Sequence, residues 1–136
     1  MAKLTALGMS INVDDSGGTA RDITNDVGSL QFNTSGVPID VSGLDVTGFE
    51  RLLGRRDTTL TLNGFYNPAA NKSHDVFKTV LTQAGTVTRT VTLGWSSGTV
   101  SGEMIAVSYN RTVNNDGSQP WTAELQATGG TVPTWS

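Results

Sequence analysis

Apolar and polar residues alternate with a period of two along several stretches of this chain, and that rhythm limits the fold more than any other feature. Leu60 and Leu62 alternate with Thr59, Thr61 and Asn63, and Val87, Val91 and Leu93 with Thr88, Thr90 and Thr92. Trp121, Ala123, Leu125 and Ala127 alternate with Thr122, Glu124 and Gln126, and Met9, Ile11 and Val13 with Ser10 and Asn12. Successive side chains on a strand point to opposite faces, so each stretch predicts a strand with one face buried. Residues 103–113 predict the longest strand, with Ile105, Val107 and Tyr109 facing together. Arg89 falls on the apolar side of its strand, which predicts a place near an edge, or a buried stem with its head in solvent.

A helical period occurs once, over residues 71–84. Val76, Phe77, Val80, Leu81 and Ala84 share a face there, opposite Lys72, Asp75, Lys78, Thr79 and Gln83. Asn71 or Ser73 suits the N-cap and Gly85 the C-terminal end. One helix with one apolar stripe packs on a sheet and cannot build a bundle. The expected fold is therefore mainly β, a β-sandwich or incomplete β-barrel with one flanking α-helix.

Turn chemistry punctuates the strands at residues 14–18, at Asn25-Asp26, at Asn67-Pro68, at 94–98 and at 114–117. Residues 128–136, with two glycines and Pro133, predict an irregular tail. No proline falls inside a predicted strand and lysines number only three, so little blunts the sheet edges against pairing with another chain.

Residues 33–56 break the pattern. They offer a short apolar patch at 37–41, then Gly43, Gly48 and Gly54 amid charge. A long, weakly structured connection is uncommon inside a compact domain, and this one carries too much apolar surface for a solvated linker. It predicts a long extended loop or arm lying on a neighbouring subunit. Val37, Ile39, Leu44, Val46, Phe49 and Leu52 would supply the apolar contacts. Arg51, Arg55 and Arg56 would pair with carboxylates of that neighbour, since residues 14–45 hold six aspartates against Arg21.

The length of 136 residues predicts a single domain spanning 1–136. With 36% hydrophobic residues and 16 glycines, the chain is lean for a self-sufficient core and suited to a β-rich subunit that completes its burial in an assembly. A net charge of −3 with no basic stripe argues against specific nucleic-acid binding. The first ten residues are too polar for a signal peptide, and no segment is long and apolar enough to span a bilayer as a helix, so synthesis in the cytoplasm and no membrane partner are expected.

Chemistry is sparse. The absence of cysteine removes disulfides and thiol nucleophiles. Ser73, His74 and Asp75 name the members of a catalytic triad, but consecutive helical residues diverge by ~100°. Asp14-Asp15 and Asn114-Asn115-Asp116 lie in turn contexts that account for them without a metal. Glu103 and Glu124 are separated acids with no enzyme motif beside them. The expectation is no enzyme, no cofactor and no metal. Trp121 predicts core by its alternation; Trp95 and Trp135 are candidate interface anchors.

Three segments together carry a family resemblance: Asp45-Val46-Thr47-Gly48-Phe49, the arginine-containing stretch 51–56, and Asp57-Thr58-Thr59-Leu60-Thr61-Leu62-Asn63-Gly64-Phe65. Beyond them come a single helix, a Gly-flanked strand, a long strand ending in Tyr109, a turn, and a last strand closing with Thr128-Gly129-Gly130. This order resembles the major tail protein, or tail tube protein, of long-tailed, siphophage-like bacteriophages. The resemblance implies a structural virion protein of the tail that forms hexameric rings stacked into a hollow tube for genome delivery. It also implies the partners: other copies of the chain, the tape measure, tail terminator and distal tail proteins, and DNA that passes through without specific binding. Lateral sheet continuation would form the inner wall, residues 33–56 would reach the next ring, and Glu103 and Glu124 are candidate lumen-facing acids. Two other readings stay open: a monomeric β-sandwich binding carbohydrate or a cell surface through its tryptophans, and a head–tail joining or tail-terminator ring.

Overall fold

Antiparallel pairing organises the chain from end to end. The computed structural model describes residue 5 and residues 7–95, 98–129 and 133–135. In chain order the elements are β1 (Ser10–Asp14), β2 (Ala20–Asp22), a 3₁₀ turn (Thr24–Asp26), β3 (Val27–Asp40), β4 (Arg51–Phe65), α1 (Ser73–Phe77), β5 (Arg89–Trp95), β6 (Gly98–Arg111), β7 (Pro120–Ala127) and β8 (Thr134–Trp135). They form one sheet in the order β2-β1-β5-β6-β7-β4-β3, with β8 also paired to β6. The sheet curls without closing into a barrel. Phe32 on edge strand β3 packs at 5.7 Å against Trp135 of β8, and it borders a small gap with Val91, Leu93, Val100 and Met104 of β5 and β6. β3 and β1 are not paired with each other. The mainly-β, incomplete-barrel expectation holds.

The alternating residues fill the interior as their period requires. Ile11, Val13, Leu60, Leu62, Val91, Leu93, Trp121, Ala123 and Leu125 are buried on the concave face, and Val76 and Phe77 of α1 plug one end. Gly64 lies where two backbones approach closely: a methyl group there would overlap the carbonyl oxygen of Asp26. β6 departs from the predicted phase. A bulge between Ala106 and Ser108 inserts a residue, so Met104, Ala106 and Tyr109 join the core while Ile105, opposite Gln126, and the half-exposed Val107 do not.

Several local expectations are corrected. The helix is confined to Ser73–Phe77, not 71–84; beyond it the chain continues in turns and Leu81 is exposed. Its N-terminus is capped from a distance by buried Asp26, which accepts hydrogen bonds from Ser73 N at 3.0 Å and Asn67 Nδ2 at 2.9 Å. The fifth strand starts at Arg89, not at 86. Arg89 itself is fully buried, head included. Its guanidinium donates to Asp14 O, Val76 O, Thr79 Oγ1 and Gln83 Oε1, so it ties the sheet to the segment around α1. A strand does lie within the tail, where Thr134–Trp135 pairs with Ser101 and Val100; residues 130–132 and 136 of that stretch are outside the described residues. Pro38 lies inside β3 after all, beside a bulge on an edge strand, the places where a strand tolerates proline.

Candidate assembly surfaces

Residues 33–56 are not a loose connection. They form the outer half of a long hairpin in which β3 and β4 pair from Val27↔Gly64 to Asp40↔Arg51. β7 accompanies β4 only from Thr59 to Phe65, so residues 35–57 run on beyond it as a two-stranded ribbon, whose root at Gly36, Leu53 and Arg56 shares a pocket with Pro133 and Trp135. Ser42 closes the tip: its hydroxyl accepts from Glu50 N at 2.6 Å, and Val41 N donates to Glu50 O at 2.9 Å. Gly54 sits tight midway along the paired part of the ribbon, where a methyl group would lie 2.9 Å from Val37 O.

The ribbon presents apolar side chains to solvent. Leu44 is fully exposed, Phe49 is 72% exposed, and Val37, Ile39, Leu52 and Leu53 are about half exposed or more; Val46 is the most sheltered at 36%. Arg51 stacks on the Phe49 ring at 4.7 Å. Arg51, Arg55 and Arg56 make no ion pair among the described residues. An isolated two-stranded ribbon is marginal in water, and a long apolar edge is a site for association.

The convex face of the sheet has a different character. Thr59, Thr61 and Asn63 of β4, Thr122, Glu124 and Gln126 of β7, Ser101 and Glu103 of β6, and Thr90 and Thr92 of β5 share it by register. Thr122 Oγ1 donates to Asn63 Oδ1 at 2.8 Å and Thr90 Oγ1 to Glu103 Oε1 at 2.6 Å. Among the described residues of β5, β6 and β7 that face this way, the charges are Glu103 and Glu124 alone. The register separates these two acids: Glu103 lies opposite Thr90, and Glu124 opposite Thr61 and Ser108.

The other candidate side chains disperse to separate partners. Ser73 is buried, His74 Nδ1 lies 3.1 Å from the Tyr109 hydroxyl, and Asp75 pairs with Lys78 at 2.6 Å. Burial, then the nearby Arg111 and Lys78 cations, depress the His74 pKa. Asp15 accepts from Gly17 N and Thr19 N and pairs with Arg21 at 3.0 Å; the Thr19 bond leads in holding its carboxyl below the usual range. Asp116 is engaged by Ser118 N and Oγ. Trp121 is buried in the core, and its indole N–H donates to Phe65 O at 2.8 Å. Trp95 and Trp135 pack together at 5.3 Å, the latter 62% exposed.

A surface that the sequence did not reveal lies at the open seam of the sheet. Leu7, Met9 and Ile11 on one side and Val27 and Leu30 on the other, with Trp95 between, line a cleft of about 670 Å³. These residues are far apart in sequence, and only the failure of β1 and β3 to pair brings them together as a groove.

This curled sheet with a projecting ribbon has known counterparts. The tail of an empty gene transfer agent particle, determined with C6 symmetry, contains a chain that superposes with a TM-score of 0.78 at 15% identity, over 98% of this chain and 99% of that one. The fold is that of a tail tube protein. A chain of the SPP1 tail tube superposes at 0.72 with 8% identity, over 98% of this chain and 79% of its own. A chain in the baseplate of the anti-feeding prophage gives 0.70 at 13% identity, over 100% and 97%. No sequence-family model and no curated protein sequence matches this tail-tube-like chain.

Proposed function

We propose that this protein is the tail tube subunit of a phage-like particle, folded as a single domain over 1–136, and that its copies form hexameric rings stacked into a hollow conduit for the genome. The observation that carries this reading is the apolar ribbon. The fold builds 35–57 as a two-stranded projection and then leaves Leu44, Phe49, Leu52 and Leu53 in water. A monomeric binding module has no use for such a projection, whereas a subunit that stacks does. Val37, Ile39, Leu44, Val46, Phe49 and Leu52 form the apolar contact to a neighbouring subunit, and Arg51, Arg55 and Arg56 pair with its carboxylates. Likeness to chains of assembled tails supports the same reading.

The convex Thr-rich face suits the wall of the conduit. Duplex DNA carries one negative charge per ~1.7 Å of axis. The part of this face built by β5, β6 and β7, hydroxyls and amides with Glu103 and Glu124 as its charges among the described residues, repels the backbone and offers it no cation to bind. The tape measure, tail terminator and distal tail proteins are the expected partners, and the virion tail the expected location. Likeness to a baseplate chain favours a terminal or joining ring as the second reading.

Negative-stain electron microscopy of concentrated protein tests this directly. Long hollow tubes with a regular repeat are expected. Isolated rings would move the assignment to a joining or terminator role, and persistent monomers would count against assembly altogether.

A further inference from the structure

The assembly reading names the donated surface, and the structure also offers a receiving one. We infer that the ribbon tip of one copy, residues 41–50, docks in the seam cleft of the next copy, between residues 7–11 and the start of β3. The inference rests on the assembly reading.

Chemistry matches on both sides. The cleft is walled by Met9, Ile11, Val27, Leu30 and Trp95, with Leu7 90% exposed at its mouth. The tip brings Leu44, fully exposed, and Phe49, 72% exposed with Arg51 over its ring. Charge agrees as well. Asp22, whose carboxylate accepts from both N and Oγ1 of cleft residue Thr24, is held ionised by those bonds beside the cleft. The ribbon stem carries Arg51, Arg55 and Arg56 without ion pairs. Among the described residues β3 is an edge strand paired only with β4, and its other edge can pair with an incoming strand.

Position decides that the occupant is a second copy. The cleft lies at the Val27 end of β3 and the tip beyond its Asp40 end. From Leu30 to Asp40 the strand covers roughly 33 Å at about 3.3 Å per residue, so a subunit's own tip points away from its own cleft. Donor and acceptor at opposite ends of one strand make a heterologous contact, which closes into a ring or continues as a filament according to the rotation between copies; a displacement along the strand continues. The repeat along the strand direction is then on the order of 40 Å once the tip loop is added.

The cysteine-free chain makes the contact testable by cross-linking. Leu44→Cys and Leu7→Cys variants are mixed, assembled under conditions that give tubes from the unmodified protein, and mildly oxidised. A disulfide-linked dimer containing one chain of each variant is expected, because a bridge requires Cα atoms within about 7 Å. A second measurement does not depend on disulfide geometry: Leu7→Asp is expected to cut pelletable tube at least tenfold with an unchanged melting temperature. Leu81→Asp, equally exposed elsewhere, is expected to leave the yield unchanged. Normal tubes from Leu7→Asp, or normal tubes with no mixed dimer, would overturn the docking site and leave the assembly reading standing. No tubes from the unmodified chain would instead count against the assembly reading.

Discussion

Replacing Leu44 by Ser isolates the energetic contribution of the ribbon tip. The side chain is fully exposed in the subunit, so its loss leaves folding stability within about 0.5 kcal/mol. If the tip is buried in the assembly, removing a leucine from that interface costs about 2 kcal/mol per contact. A factor of ten accompanies every 1.4 kcal/mol, so the critical concentration for tube formation rises roughly 30-fold. Phe49→Ser has a similar effect, somewhat reduced because that ring already stacks on Arg51. The assay is sedimentation of tubes across a concentration series, with thermal melting of the same samples as the folding control. An unchanged critical concentration with an unchanged melting temperature would refute the argument that the tip is an intersubunit contact. A lowered melting temperature would show instead that Leu44 supports its own subunit.

Three further outcomes follow from the geometry. Gly64→Ala places a methyl group on the Asp26 carbonyl and is expected to lower stability by about 3 kcal/mol, the upper part of the usual overpacking range, read by denaturant unfolding; a loss under about 1 kcal/mol would show that the turn at Asp26 moves easily away from β4. Arg89→Ala removes four donated hydrogen bonds and leaves buried Val76 O short of a partner, so a loss of about 3–5 kcal/mol is expected, with Arg89→Met less damaging because it refills the space; equal losses would exclude packing as a factor. His74 has a folded-state pKa below its unfolded value, chiefly through burial. The unfolded chain therefore binds the proton more readily, so stability contributed by neutral His74 is complete above about pH 6.5 and falls as pH drops toward the folded pKa. Melting temperatures at pH 7.5 and 5.5 are expected to differ less in His74→Gln than in the parent, and equal differences would remove His74 from that pH dependence.

Much of this protein was legible locally. A period-two pattern needs only the geometry of a strand, so Leu60 and Leu62, Val91 and Leu93, and Trp121, Ala123 and Leu125 announced both their element and their buried face. Asp116 and Gly117 likewise announced a turn. The apolar excess in residues 33–56 was visible too, together with its implication that something covers it. That the stretch is a paired ribbon was not visible, because Pro38 and the glycines mask the alternation and pairing with β4 is what holds it straight.

Tertiary structure decided everything that depends on partners distant in sequence. The short helix ends at Phe77 although its pattern runs on, because its start is tied to Asp26 and the following residues turn to bring Thr79 and Gln83 to Arg89. A buried arginine appears in sequence as an anomaly in a strand; only the fold supplies four acceptors around it. The bulge at Ala106–Ser108 shifts a side chain from one face to the other, and alternation cannot foresee an inserted residue. The seam cleft exists because β1 and β3 approach without pairing, a relation between chain segments that no single stretch encodes. Side-chain periodicity is a property of each strand alone, whereas grooves, caps and buried charges are properties of the pairs that strands make.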